Sequence, residues 1–172
     1  DLNDAINYND IYNLLMSLSL TIYTPSNYIM PSKLAKYIDP ENHKRNMTQQ
    51  GREEGIRRLM SINLLKRLES SVASFRLTID RIKKLINDTI GTIKNYQSGD
   101  CVLNLTEISG AEDFDYDDQN TDFFTVGKKV KIDLADMGYV SWMHELEKDA
   151  ESLELLSIMI ADITPEHDTK LQ

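Results

Sequence analysis

Three aspartates in the middle of the chain have the spacing of calcium ligands. Asp113, Asp115 and Asp117 alternate like the ligands at the first, third and fifth positions of a twelve-residue calcium loop. Such a loop also needs glycine at its sixth position and a bidentate glutamate at its twelfth, where this sequence has Asp118 and Phe124. We therefore expect no dedicated calcium site, and weak cation binding by this acidic cluster is the open alternative.

A histidine–glutamate pair near the C-terminus begins like a zinc-peptidase motif. That motif places two histidines four residues apart on one helical face, whereas Lys148 stands four residues after His144. The other histidines, His43 and His167, are distant in sequence, and the one cysteine, Cys101, excludes a cysteine-rich zinc module and an internal disulfide framework. We expect no metal site, and we interpret each histidine as a surface or structural residue.

Phosphate-binding and nucleophile motifs are missing from the sequence as well. A Walker-type loop ends in Gly-Lys-Ser/Thr, but the only Gly-Lys pair, Gly127-Lys128, is followed by another lysine. Neither G-x-G-x-x-G nor G-x-S-x-G occurs, and Cys101 lies beside Asp100, which disfavours a thiolate. The residues alone indicate no catalytic residue and no cofactor, and they favour a helical interaction or coupling element.

The composition favours one helical domain. Among 172 residues there are only 7 Gly and 4 Pro, too few turn formers for a many-stranded β fold. No apolar run approaches the 18 residues or so that a membrane-spanning helix needs. The chain begins at Asp1 rather than methionine and shows no signal peptide. We expect a cytoplasmic segment cut from a longer protein.

Apolar periodicity predicts two long helices. Residues 51–97 contain no proline, and their apolar residues recur every three or four positions, at Ile62, Leu65, Leu68, Val72, Phe75, Ile79, Ile82, Ile86, Ile90 and Ile93. The same spacing recurs near the C-terminus, at Val140, Met143, Leu146, Ala150, Leu153, Leu156, Ile160 and Ile163. The helices would be roughly 70 Å and 40 Å long. We expect a long, coiled-coil-like antiparallel hairpin, whose uncovered end could pair with a second copy as a homodimer.

The remaining segments complete the predicted mainly-α domain. Residues 1–50 are expected to form a helix over 2–23, which Pro25 ends, and then a packing segment. Residues 98–135 form an acidic connection, expected to be irregular or β, with an extended stretch at 101–105 and a hairpin turn at Gly127-Lys128. Residues 136–172 supply the acidic C-terminal helix.

Charge is distributed unevenly along the chain. The net charge of −9 combines −2 over residues 1–40, +6 over residues 41–97 and −13 over residues 98–172. One interpretation is that a basic and an acidic helix pack against each other. The other is that the basic segment forms a surface for nucleic acid or a partner protein.

Residues 50–82 resemble a segment of large bacterial Swi/Snf-like ATP-dependent helicases of superfamily two. The likeness is concentrated in Leu64-Leu65-Lys66-Arg67-Leu68-Glu69-Ser70-Ser71, followed by Phe75. A weaker likeness covers residues 133–171, in Asp133-Leu134-Ala135-Asp136, the acidic helix, and Pro165-Glu166-His167-Asp168. In that family the first segment lies between two RecA-like motor lobes and the second just ahead of the second lobe.

The resemblance implies a non-catalytic domain that couples lobe movement to nucleic-acid engagement. The parent protein would bind ATP and Mg²⁺ through a Walker-type loop, an acidic box and an arginine finger that lie outside this chain. Its partners would be the motor lobes and duplex DNA. A stand-alone helical adaptor or coiled-coil oligomerisation module is the alternative, and a small hydrolase or metal enzyme lacks a supporting motif.

Candidate interaction residues cluster in the first long helix. Arg67, Ser70, Ser71 and Ser74 form a polar stripe facing away from the apolar seam, with Glu69 beside them. The stripe is either a solvated face with an internal contact of Arg67 to Glu69 or to an aspartate, or a surface that docks a motor lobe or follows a DNA backbone. Arginine can bind carboxylate or phosphate with two hydrogen bonds, which suits either docking role.

A second basic group precedes and overlaps the stripe. Its principal members are Arg57, Arg58 and Lys66, and it continues in both directions to Arg52, Arg81, Lys83 and Lys84. The group winds around the helix and contains no interleaved aromatic residue, which disfavours stacking on single-stranded nucleic acid. Contact with duplex DNA remains one interpretation, and packing against acidic helices is the other.

Overall fold

Helices dominate the part of the chain that is described. The structure is a computed structural model and describes residues 2–37, 49–97, 102–104 and 131–161. Its α-helices are α1 (Leu2–Met16), α2 (Gln49–Ser70), α3 (Val72–Tyr96) and α4 (Tyr139–Ala161). Short 3₁₀ helices cover Thr21–Tyr23, Pro25–Tyr28, Pro31–Tyr37 and Leu134–Asp136. The predicted mainly-α class is confirmed. None of these helices has the length and apolar content needed to cross a membrane.

Helix α1 ends at Met16, so the prediction of a helix over 2–23 was wrong. Leu20 adopts the left-handed conformation, with φ of 52° and ψ of 39°, which an α-helix does not accommodate. The carboxylate of Asp149 in α4 accepts hydrogen bonds from the amides of Ser19 and Leu20, at 3.0 and 2.7 Å. In a continued helix those amides would bond to the preceding turn. Asp149 therefore holds Ser19 and Leu20 in a non-helical conformation, and the helix does not continue to Pro25.

The predicted single helix over 51–97 is interrupted at Ser71. This residue is extended, with φ of −157° and ψ of 112°, and its side-chain oxygen accepts a hydrogen bond from the amide of Ser74. Serine is a favoured residue at this N-cap position because its oxygen satisfies an amide that has no intrahelical partner. The amide of Ser71 still bonds to the carbonyl of Arg67, at 2.8 Å. The interruption is thus one residue long, and we call it the Ser71 break.

Helices α3 and α4 lie side by side and run antiparallel. Arg76 at the start of α3 donates a hydrogen bond to the carbonyl of Ile160 at the end of α4, at 3.2 Å. At the other end the rings of Tyr96 and Tyr139 meet edge to face, with centroids 5.3 Å apart. Between these contacts Lys83 forms an ion pair with Glu154 at 3.0 Å. The antiparallel pair therefore comprises α3 and α4 rather than the whole predicted 51–97 helix.

The predicted apolar seam is right in α3 and shifted in α2. In α3, the predicted residues from Val72 to Ile93 are buried, among them Phe75, Ile79, Ile82 and Ile86. In α2 the predicted Leu68 is buried and the predicted Leu65 is half-buried, but the predicted Ile62 is 45% exposed. The buried residues before Leu68 are instead Leu64 and Met60. The buried row continues across the break at intervals of three or four residues, from Leu64 and Leu68 to Val72 and Phe75. One buried seam therefore runs through both helices, and in α2 it lies on the side that packs against α1 and the 3₁₀ segments.

The seam of α4 is similarly shifted at its first turn. Val140 was expected in the core and is 60% exposed, while Trp142 is fully buried. The indole Nε1 of Trp142 donates a hydrogen bond to the carbonyl of Thr21 at 3.0 Å. Because this ring fills the space under the 3₁₀ segments, it sets the rotation of α4. Ile163, the last predicted seam residue, lies outside the described residues.

Two short strands bring the ends of the predicted 98–135 connection together. Strand β1 (Val102–Asn104) pairs antiparallel with β2 (Lys131–Asp133), with Leu103 opposite Ile132. The first strand coincides with the predicted extended stretch at 101–105. The acidic run at 112–118, including the aspartates with calcium-loop spacing, and the predicted turn at Gly127-Lys128 lie outside the described residues.

Residues 17–37, which we call the connecting segment, are bonded to the start of α4 through backbone groups. The amide of Met30 bonds to the carbonyl of Asp136 at 2.8 Å, and the amide of Gly138 bonds to the carbonyl of Tyr28 at 2.7 Å. A β-bridge joins Ile29 and Met137. These bonds fix the connecting segment across the core, where α2 and α4 both contact it.

Candidate interaction surface around the Ser71 break

The eight residues predicted to form an interaction site all lie between Arg57 and Ser74. They occupy the second half of α2 and the first turn of α3, on both sides of the Ser71 break. The structure gives them different surroundings, so they do not form one uniform surface. Some are bound within the chain, and others project into solvent.

The serines of the polar stripe form hydrogen bonds within the chain, at or next to the Ser71 break. The side-chain oxygen of Ser71 caps α3, and the hydrogen bond that it accepts comes from Ser74. The hydroxyl of Ser70 donates to the carbonyl of Lys66 at 2.8 Å. Ser71 and Ser74 are half-buried, whereas Ser70 is exposed. The serines thus shape the backbone at the junction of the two helices.

Arg67 connects the two helices across the break. Its guanidinium donates a hydrogen bond to the hydroxyl of Thr78 in the second turn of α3. Thr78 is fully buried, and its hydroxyl in turn donates to the carbonyl of Ser74 at 3.1 Å. This bond to Thr78 was not among the internal contacts predicted for Arg67, which were with Glu69 or an aspartate. Arg67 is therefore a structural bridge between α2 and α3.

The cations of the basic group differ in their availability. Arg57 is half-buried and binds Glu54, with its Nε at 2.8 Å from Oε1. That hydrogen bond from Arg57 lowers the pKa of the Glu54 carboxyl. Arg58 and Lys66 are exposed, and neither forms an ion pair with a residue that the structure describes. Among the cations of the eight predicted site residues, Arg58 and Lys66 are therefore the two that are best placed to contact a partner.

Glu69, at the exposed C-terminal end of α2, lies close to Tyr8 in the middle of α1. Burial raises the pKa of the Tyr8 hydroxyl, and the negative charge of Glu69 raises it further. At the opposite end, Met16 of α1 lies near Arg57 and Arg58 of α2. Residue numbers rise along α1 as they fall along α2, so these two helices are antiparallel.

A groove with a volume of about 220 Å³ lies between these antiparallel helices. The residues that line it include Leu15, Met16 and Leu18 on one side and Arg58, Ser61 and Ile62 on the other. Its surface is therefore mainly apolar, with a polar part contributed by Arg57, Arg58 and Ser61. Sequence reasoning did not predict this groove, because it assigned Ile62 to the core seam.

Sequence reasoning also missed three carboxylates that hold the connecting segment in place. The first is Glu53 of α2, which is only 5% exposed. It accepts hydrogen bonds from the amide and hydroxyl of Ser26 and from the side-chain amide of Gln49. Burial raises the pKa of the Glu53 carboxyl, and these hydrogen bonds partly oppose that effect. Glu53 therefore fixes the turn that begins at Pro25.

Asp149 of α4 is the second buried carboxylate. Besides the amides of Ser19 and Leu20, it accepts a hydrogen bond from the hydroxyl of Ser19 at 3.1 Å. Burial raises the pKa of the Asp149 carboxyl against these hydrogen bonds. The sequence did contain a signal, because Asp149 falls in the buried row that continues from Leu146 to Leu153.

Asp136, just before α4, is the third carboxylate. It accepts hydrogen bonds from the hydroxyl of Tyr37 at 2.6 Å and from the ammonium of Lys36 at 2.9 Å. The hydrogen bonds from Tyr37 and Lys36 lower the pKa of the Asp136 carboxyl. The Tyr37 hydroxyl also accepts from the amide of Asp133, at 3.1 Å. This cluster joins the far end of the connecting segment to strand β2.

Among the described residues, no group of three or more His, Cys, Asp or Glu side chains is arranged to hold a metal ion. The three buried carboxylates bind amides, hydroxyls and the Lys36 ammonium, and so they hold the connecting segment against α2, α4 and the residues just before α4. Comparison with protein-family models, curated proteins and solved structures gives no match for this chain.

Proposed function

We propose that this chain is a non-catalytic helical domain that lies between the two motor lobes of an ATP-dependent DNA helicase or translocase. In this proposal it couples lobe movement to the engagement of nucleic acid. ATP and Mg²⁺ belong to the motor lobes of the parent protein, and this chain supplies the mechanical connection.

The observation that carries the proposal is the position of the Ser71 break. The motif that resembles Swi/Snf-like helicases, Leu64 to Ser71 followed by Phe75, spans the end of α2, the break and the first turn of α3. On one side of the break α2 packs with α1 and the connecting segment, and on the other side α3 packs with α4. A change of angle at Ser71 would move the exposed cations of α2 relative to the α3–α4 pair.

The bonds at the break support a coupling role for Arg67. A one-residue interruption that retains the Ser71 amide bond to Arg67 leaves the two helices joined at a defined angle. The side-chain hydrogen bond between Arg67 and Thr78 also restrains that angle. Loss of this bond would leave both helices folded while it weakens the transmission of movement between them.

The exposed residues beside the break are the proposed contact with a lobe or with DNA. Arg58, Lys66 and Glu69 project from α2 into solvent, and Ser70 lies next to them. Exposed cations can pair with phosphates of duplex DNA or with carboxylates of a motor lobe. Docking of a lobe uses both charge signs and therefore includes Glu69, whereas DNA contact uses the cations alone.

The experiment is an ATPase assay of the full-length parent enzyme. In the Arg67→Met variant we expect basal ATP hydrolysis to be retained, while stimulation by duplex DNA falls at least about tenfold, a loss of roughly 1.4 kcal/mol of coupling. Lys94→Met, at the exposed far end of α3, is the matched control and should behave as the wild type. Unchanged DNA stimulation in Arg67→Met would overturn the coupling role.

The alternative is a stand-alone helical adaptor or oligomerisation module. The apolar groove between α1 and α2 favours it, because such grooves bind partner helices. The coding sequence around Asp1 and Gln172 separates the two functions. Motor motifs on both sides support the interlobe domain, whereas a start codon near Asp1 supports the adaptor.

A further inference from the structure

The groove between α1 and α2 leaves apolar side chains in solvent. Met16 of α1 is 55% exposed and Ile62 of α2 is 45% exposed, and both line the groove. Tyr12 lies one turn before Met16 on α1 and is also exposed. We call these three exposed side chains, two of which face each other across the groove, the apolar strip.

Cations flank this strip along α2. Arg58, Ile62 and Lys66 follow each other at intervals of four residues, so they share one face of the helix. Over eight residues the two cations are separated by about 12 Å along the helix axis. Arg57, beside them, is neutralised by Glu54. A complementary surface must therefore combine apolar side chains with carboxylates.

The outward face of α4 has that combination. Leu155 is 48% exposed and Ile158 is 55% exposed, although both belong to a helix whose opposite face forms the core. Glu147 and Glu151 precede Leu155 at intervals of four residues and are exposed. Neither glutamate forms an ion pair with a residue that the structure describes. Glu154, by contrast, is bound to Lys83 of α3.

We propose that the α1–α2 groove binds the outward face of α4 of a second copy of this chain. Ile62 and Met16 contact the exposed Leu155 and Ile158 of the other copy, while Arg58 and Lys66 attract Glu147 and Glu151. Each copy has both surfaces, so two copies can make the contact twice in a two-fold dimer. The dimer does not rest on the proposed function, but it uses Arg58 and Lys66, so a second copy would compete with a motor lobe or duplex DNA for this surface.

Charge and apolar area have separate effects on this association. The apolar strips provide the attraction that persists at high salt, because burial of apolar surface is not screened. The exposed charges select the partner surface and lose strength as salt rises. We therefore expect association that weakens with ionic strength without disappearing.

Sedimentation equilibrium of the purified chain tests the proposal. We expect the wild-type chain to change from monomer to dimer between about 1 µM and 1 mM, the range of transient interfaces. Reversal of the groove charges, in Arg58→Glu with Lys66→Glu, should abolish self-association. Reversal of the α4 charges, in Glu147→Lys with Glu151→Lys, should abolish it as well.

Sedimentation equilibrium of a mixture of the two charge-reversed variants is the decisive experiment. In an equimolar mixture each acidic groove meets a basic α4, and each basic groove meets an acidic α4, so association should return to the wild-type level. Lys94→Glu, an exposed reversal at the end of α3, should leave association unchanged. Circular dichroism of each variant establishes that loss of association does not reflect loss of the fold.

Three results would overturn the proposal. A wild-type chain that stays monomeric over this concentration range would assign the groove to a different protein. Self-association that survives both charge reversals would place the interface elsewhere on the chain. Two folded variants that remain monomeric when mixed would show that the charges of the groove and of α4 do not meet.

Discussion

The guanidinium of Arg67 in α2 is hydrogen-bonded to the hydroxyl of Thr78 in α3, and this bond spans the one-residue Ser71 break. Thr78 is fully buried, so its hydroxyl needs an internal partner, and it also bonds to the carbonyl of Ser74. A polar side chain predicted to face a partner is thus bound to the neighbouring helix of its own domain. The angle between α2 and α3 depends on that bond.

We expect Arg67→Met and Thr78→Val each to lower the free energy of unfolding by about 1–2 kcal/mol, because each removes the Arg67–Thr78 hydrogen bond at a partly buried site. Thr78→Val also removes the bond to the carbonyl of Ser74. The double variant should cost clearly less than the sum of the two, since both changes remove the same interaction. Urea denaturation of the four proteins measures this coupling. Lys66→Met, an exposed neighbour, is the control and should change stability by less than about 0.5 kcal/mol. Strict additivity would contradict a direct bond between Arg67 and Thr78.

The cap at the break gives a second prediction. Ser71→Ala should destabilise the chain by about 1 kcal/mol, because the amide of Ser74 loses the oxygen that it bonds to. Ser71→Asp should retain most of the stability, since aspartate caps helices as well as serine does. Ser70→Ala is the matched control, because the hydroxyl of Ser70 is exposed and bonds only to a carbonyl within its own helix. Equal losses in both alanine variants, measured by urea denaturation, would contradict the cap.

Periodicity predicted the helices, and side-chain partners decided where they begin and end. The seam of α3 could be read from the sequence because Phe75, Ile79 and Ile82 recur on one face of the helix, although Leu77 is apolar and exposed. In α2 two overlapping apolar rows exist, and the sequence could not show that Leu64 is buried while Ile62 lines a groove. The choice depends on where α1 packs, which is a tertiary contact.

The candidate site was only partly predictable for a related reason. The eight residues from Arg57 to Ser74 do lie together, because a helix keeps near neighbours close. Their bonds could not be predicted, since Arg67 meets Thr78 only when the helix is interrupted at Ser71. Asp149 is the extreme case, because its partner Leu20 is 129 residues away in the sequence.

Asp149 gives a third prediction. In Asp149→Ala the amides of Ser19 and Leu20 lose their acceptor, and we expect a loss of about 2–4 kcal/mol from these unsatisfied groups. Glu147→Ala, on the exposed face of the same helix, should change stability by less than about 0.5 kcal/mol. Thermal unfolding followed by circular dichroism ranks the two variants. A small effect of Asp149→Ala would show that Leu20 adopts its left-handed conformation without this carboxylate.

Two adjacent glutamates should have opposite effects on the pH dependence of stability. Burial raises the pKa of Glu53 above its ordinary value of 4.5, so the folded chain binds this proton more tightly than the unfolded chain does. Its contribution is greatest below pH 4.5 and is lost as pH rises through the pKa of the folded state. Arg57 lowers the pKa of Glu54, so its contribution is present above pH 4.5 and is lost as pH falls through the lowered pKa.

Glutamine variants separate these contributions. In the wild type, Glu53 makes the free energy of unfolding fall as the pH rises above 4.5, and Glu53→Gln should remove this fall. Glu54 makes the free energy of unfolding rise as the pH increases toward 4.5, and Glu54→Gln should remove this rise. Urea denaturation across about pH 3 to 7 measures both curves. Since the pKa of Asp149 is also raised, part of the decrease should remain in Glu53→Gln. A pH profile of Glu53→Gln identical to that of the wild type would contradict the raised pKa.

The last prediction concerns duplex DNA and distinguishes Arg58 from its neighbour Arg57. If the exposed face of α2 contacts the phosphate backbone, the logarithm of the association constant should fall linearly with the logarithm of the salt concentration. The reason is that Lys and Arg side chains displace counterions from the DNA phosphates. Arg58→Ala and Lys66→Ala should each weaken binding and reduce the slope by about one unit, whatever the DNA sequence. Arg57→Ala should leave the slope nearly unchanged, because Glu54 already binds that guanidinium. Fluorescence anisotropy with a labelled duplex at several salt concentrations measures all four proteins. Equal effects of Arg57→Ala and Arg58→Ala would show that the ion pair with Glu54 opens on binding, and a salt-independent affinity would remove α2 from the DNA interface.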